Sequence, residues 1–198
     1  MINYFKISIF ISFLILLFSC GAKEEIYTPK PKGYFRLELP KNEYQTLEGK
    51  YPYTFEYSKH AIILQDSGFN TEPFWIEIKY PTMGAEISVS YKMINHSRDS
   101  LEGFVNTAFK LADKHLARAT AMNEFAIKLP SGYGASAIEI EGEVPTQFQF
   151  FATDSTENFL RAALYFSTSS RNDSLAPIIE YVKVDMMKML HTLEWKKR

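Results

Sequence analysis

Residues 147–166 read QFQFFATDSTENFLRAALYF. Two apolar runs flank the polar cluster Asp154-Ser155-Thr156-Glu157, which has the composition of a tight hairpin turn. In the first run Phe148, Phe150 and Ala152 share one face, and Gln147, Gln149 and Phe151 share the other. In the second run Phe159, Arg161, Ala163 and Tyr165 alternate with Leu160, Ala162, Leu164 and Phe166. Both of its faces are therefore apolar apart from Arg161, the pattern of an inner strand covered on two sides. A guanidinium buried in such a layer needs an anionic partner. By position Asp154 and Glu157 are the nearest, so the three residues are expected to form a structural buried-charge group. The carboxylates and hydroxyls of the turn are also raw material for acid–base work or for holding a cation, but turns select these residues on conformational grounds alone.

Upstream, Phe74, Ile76, Ile78 and Tyr80 share a strand face. Pro81-Thr82-Met83-Gly84 turns the chain, and Ala85, Ile87, Val89, Tyr91 and Met93 line a second strand whose other side is polar. Pro52–Tyr57 and Ala61–Leu64 read as further short strands, and Tyr34–Pro40 as an edge strand or extended lead-in. After Ser97 the period becomes helical, with Leu101, Phe104, Val105, Ala108, Leu111, Ala112 and His115 as the stripe and Asp99 with Glu102 as a capping box. Phe125, Ile127 and Leu129 restore a strand period, and Ser131–Gly134 turns into a strand over 135–141. Beyond the hairpin comes a polar loop over 167–173. A last helix, capped by Ser174, follows to about Leu193 with Leu175, Ile178, Val182, Met186, Met189, Leu190 and Leu193 inward. Trp195 comes after it. Such an order predicts a single α+β domain over 34–198 with a mainly antiparallel sheet flanked by helices, in the manner of a Mog1/PsbP-like sandwich.

The N-terminus carries an address. Lys6 precedes the apolar run Ile7–Phe18, broken only by Ser8 and Ser12, and Leu17-Phe18-Ser19-Cys20 follows. The run is too short for a spanning helix, which needs about 20 apolar residues, but suits a signal peptide over 1–19. Leucine three positions before the cysteine resembles the lipobox of bacterial lipoproteins. That likeness implies cleavage before Cys20 and acylation of it by diacylglycerol and a palmitate-type chain, which holds the protein to a lipid membrane. Lys23-Glu24-Glu25 is similar to a surface-export signal of the Bacteroidota and equally to a solvated linker. Residues 20–33 then form a lipidated tether, semi-rigid around Pro29 and Pro31.

Composition narrows the functional classes. The chain has 198 residues, 46% of them hydrophobic, with 22 basic against 23 acidic side chains. This balance gives no basic field for nucleic acid. The lone cysteine excludes an internal disulfide. His60, His96, His115 and His191 have no metal-site spacing, Gly132-Tyr133-Gly134 precedes a strand rather than a helix, and Gly134-Ala135-Ser136-Ala137 lacks the closing glycine of a nucleophile elbow. No catalytic residue, metal site or cofactor is expected.

Four pieces carry a family resemblance: the lipobox at Cys20; Pro29-Lys30-Pro31-Lys32-Gly33-Tyr34-Phe35-Arg36; the hairpin from Thr153-Asp154-Ser155-Thr156 through Phe159-Leu160-Arg161-Ala162-Ala163-Leu164-Tyr165-Phe166; and Leu193-Glu194-Trp195-Lys196. Together they resemble the gliding motility lipoprotein GldD family of the Bacteroidota. The resemblance implies a non-enzymatic lipoprotein anchored in the cell envelope, required for gliding and type IX secretion. Its partners would be other gliding and secretion envelope proteins, contacted through protein surfaces. An envelope hydrolase, or a carbohydrate- or solute-binding lipoprotein, is the alternative, and calls for a concave polar pocket near residues 154–161.

Overall fold

A computed structural model describes residues 38–166 and 172–197. In chain order the strands are β1 (Tyr44–Thr46), β2 (Tyr53–Thr54), β3 (Glu56–Ser58), β4 (Ile62–Gln65), β5 (Ile76–Tyr80) and β6 (Ala85–Met93). Helix α1 (Arg98–Asp113) and a 3₁₀ turn (Leu116–Arg118) lead to β7 (Ala119–Lys128), β8 (Gly134–Gly142), β9 (Phe148–Thr153) and β10 (Asn158–Phe166). The chain continues through helix α2 (Asn172–His191) to β11 (Glu194–Trp195). A seven-stranded antiparallel sheet, ordered β4-β5-β6-β10-β9-β8-β7, is joined by the small pairs β1-β3 and β2-β11. The hairpin of residues 147–166 supplies two of its inner strands, as the doubly apolar pattern requires.

The two faces of that hairpin enter different cores. Phe148, Phe150, Ala152, Leu160, Ala162 and Leu164 pack with Ile178, Val182, Met186 and Leu190 of α2. On the opposite face Phe151 and Phe159 stack at 5.6 Å and meet Phe104, Val105 and Ala108 of α1. Each large side chain removed from water in this way contributes about 1.5–3 kcal/mol before the cost of ordering it. The helices therefore flank the sheet on both sides. Past α1 the sheet is wet, and Lys79 bridges Glu77 at 2.9 Å and Glu86 at 3.2 Å.

Helix starts and the chain ends depart from the expectations. Ser97, rather than Asp99, caps α1: it holds an extended backbone and accepts the Ser100 N–H at 3.2 Å. Glu102 instead pairs with Arg98 on the exposed helix surface. Helix α2 begins at Asn172, two residues before the Ser174 expected to cap it. Trp195 continues into a strand, β11, whose register places it against Tyr53. Of the lead-in expected over 34–40, residues 38–40 form no strand, and 34–37 lie outside the described residues. The signal peptide, Cys20 and the tether also lie outside them.

Candidate functional site

The hairpin turn is held by Asp154. Its Oδ1 accepts the backbone N–H groups of Thr156 at 3.0 Å, Glu157 at 2.8 Å and Asn158 at 2.9 Å, and its Oδ2 accepts the Asn158 amide. Asn158 in turn accepts the Tyr91 hydroxyl at 2.6 Å. Burial pushes the Asp154 carboxyl up, but the hydrogen bonds from Asn158, Thr156 and Glu157 outweigh it and leave the carboxyl below its ordinary value. With its oxygens so occupied, Asp154 organises backbone rather than moving protons. The turn also docks the joint before α1, where the Ile94 N–H reaches the Glu157 carbonyl at 2.9 Å and the His96 N–H the Thr156 carbonyl at 2.8 Å.

The expected ion pairing around Arg161 is corrected. Glu157 faces His96 at 3.2 Å, both side chains well exposed. Asp154 is committed to the turn, and the Arg161 guanidinium donates to the Gln149 amide oxygen on β9. Arg161 is only half-buried, so part of its charge is solvated and a neutral acceptor suffices. Its Nε and the Gln149 Nε2 are enclosed without a hydrogen-bond partner. His115 lies close by and is held below its ordinary value, first by burial and then by the charges of Arg161 and Lys114. The residues form a cationic corner under the end of α1.

Two features escaped the sequence reading. The first is Asp185 on α2, fully buried, which accepts the Tyr80 hydroxyl at 2.9 Å and the Asn42 amide at 2.8 Å. Burial, followed by the Asp185 charge, pushes the neighbouring Tyr44 up to about 12. This network fastens the segment before β1 to α2 and the end of β5. A signal existed: Asp185 sits beside Met186 and three positions after Val182, on the apolar stripe, where an acid must be hydrogen-bonded.

The second is a cleft of about 790 Å³ between the far end of β8 and α2. Phe148 and Ile179 contribute apolar wall, and Glu139, Glu141, Glu143 and Glu180 outnumber Arg118 and Lys183. Lys183 lies between Glu139 and Glu180, so its charge is shared within the cleft. At one end Gly142 has φ +112°, and a Cβ there would meet the Arg118 carbonyl oxygen at 2.6 Å, so only glycine fits. Acids at 139 and 141, two apart on one side of β8, and at 143 just beyond the strand were the legible sign. The cleft is remote from the 154–157 turn, where a hydrolytic pocket was sought. Among the described residues no group of three or more His, Cys, Asp or Glu is placed to hold a metal, and no helix is long and apolar enough to cross a membrane.

Comparison with known proteins bears on most of the chain. The solution structure of cyanobacterial PsbP (CyanoP) from Synechocystis sp. PCC 6803 is similar with 12% identity and a TM-score of 0.47, over 82% of this chain and 98% of that one. No curated protein matches. Residues 24–195 match the family model described as gliding motility lipoprotein GldD, which takes in the hairpin, both helices and the Leu193-Glu194-Trp195 end. With nearly the whole sequence covered, the chain belongs to the gliding motility lipoprotein GldD family.

Proposed function

We propose that this protein acts as a membrane-tethered subunit of the gliding and type IX secretion apparatus, working through contacts between its folded body and other envelope proteins. In this reading residues 1–19 are removed, acylated Cys20 holds the chain to the lipid, residues 20–33 are the tether and residues 34–198 the body. The family match over 24–195 carries the reading. Family membership makes the chain a lipid-anchored, non-catalytic protein of the cell envelope linked to gliding motility and type IX secretion. The test is surface spreading of cells lacking the gene, complemented with the wild type or with Cys20→Ala. Spreading lost without the gene and restored only by the acylatable chain is expected. Unimpaired spreading in the deletion would overturn the role, and full restoration by Cys20→Ala would overturn the anchor.

A further inference from the structure

The sheet ends on one side in β7, ten residues long and bonded only to β8 among the described residues. Its outer edge pairs with no described strand, and the one irregularity in its register lies at the start, between Ala119 and Ala121. Natural sheets usually blunt such an edge with proline, charges, a bulge, a short strand or a covering element, and β7 has only an irregularity at its start and the charges of Glu124 and Lys128. Here there is no proline, and Phe125 and Met122 are 47% and 36% exposed. The register aligns Ala121 with Glu141, Asn123 with Glu139 and Phe125 with Ala137. These three β7 residues therefore share the sheet side on which Glu139 and Glu141 face the acidic cleft, and Thr120 at the start of β7 lines it directly.

We infer that the β7 edge and the adjoining acidic cleft form a docking site for an extended, lysine- or arginine-bearing segment of a partner protein, which adds as an eighth strand. The inference rests on the protein-contact role proposed above. Backbone hydrogen bonds to the edge supply affinity, and side chains on alternate positions supply selectivity. An apolar residue of the incoming strand sits over Phe125. A base about four residues away, about 13 Å along a strand, reaches the Glu141 and Glu143 end. Charge complementarity selects this occupant. The lining acids number four against two bases, and Lys183 is already engaged by Glu139 and Glu180. A second copy fits less well, because its own β7 offers one base, Lys128, and one acid, Glu124, which cancel.

The test is site-specific photocrosslinking in living, gliding-competent cells. The full-length chain carries the crosslinker at Phe125 or Asn123, or at Ile62 on the opposite sheet edge, and the adducts are sequenced by mass spectrometry. Adducts from both β7 positions, but not from Ile62, are expected to fall in one segment of another envelope protein, with Lys or Arg about four residues from an apolar residue. The double reversal Glu141→Lys and Glu143→Lys is expected to cut the Phe125 adduct about tenfold or more. Glu180→Lys, on the helix instead of the strand, moves it in the same direction. Adducts to this chain itself, adducts to a segment without bases, or no adduct at β7 would each overturn the docking site. If spreading still depends on the gene in that last case, the site alone is wrong. If spreading does not depend on the gene, the proposed role fails whatever the adducts show.

Discussion

Three backbone N–H groups and a side-chain amide converge on Asp154, so replacing it removes an organising centre rather than a reagent. Asp154→Ala is expected to lower stability by about 1–2 kcal/mol, the scale of a lost cap at a partly exposed site. A urea midpoint reads the loss. The effect depends on pH in a fixed direction. The folded state holds the carboxyl below its ordinary value of 3.8, so the contribution is complete above that value and disappears as pH falls through the lower folded one. Asp154→Asn should therefore lessen the acid sensitivity of the wild type. Gly142 is the second residue with a sharp expectation. Gly142→Ala meets a positive φ and backbone 2.6 Å away, and should cost about 2 kcal/mol or more, seen as a lower melting temperature. Residue-scale chemistry was only partly legible. The Asp-Ser-Thr-Glu cluster announced a turn, but nothing in its spacing said that Asp154 would be saturated by its own backbone, leaving Arg161 to an amide two strand positions beyond its direct partner on β9.

Elements were read more securely, because a two-residue or 3.6-residue period survives small errors in its ends. The pairing β9–β10, the polar outer side of β6 and the inward stripe of α2 all follow from side-chain alternation. What periodicity misses is contact between distant segments. Asp185, Tyr80 and Asn42 lie far apart in sequence, yet join α2, β5 and the lead-in to β1. Tyr80→Phe removes a donor from a buried carboxylate and is expected to cost about 1.5–3 kcal/mol in a denaturant titration. A neutral effect would show that Asp185 finds another donor. Tyr44 reports on the same network at alkaline pH. Its phenol is raised from 10.0 to about 12, so the stability it contributes is intact below pH 10 and lost as pH climbs through the folded value. Tyr44→Phe should reduce that alkaline loss. The pairing of β11 with β2 was likewise illegible, since two residues such as Glu194-Trp195 carry no period.

For the whole molecule, sequence and structure speak to different halves of the account. The folded body presents a sheet between two helices, with its most distinctive open surface at the β7 edge and the adjoining cleft. The anchoring segment around Cys20 is read from sequence alone, and the family match runs from residue 24 to 195, through part of the proposed tether and the folded body. A tethered binding subunit requires both parts to act on the same process. The decisive measurement is mass spectrometry of type IX cargo in the medium of cells lacking the gene, complemented with the wild type, with Cys20→Ala, or with Glu141→Lys and Glu143→Lys combined. The account predicts cargo lost without the gene, restored by the wild type, not restored by Cys20→Ala, and reduced by the charge reversal. Cargo secreted at wild-type levels in the absence of the gene would contradict it.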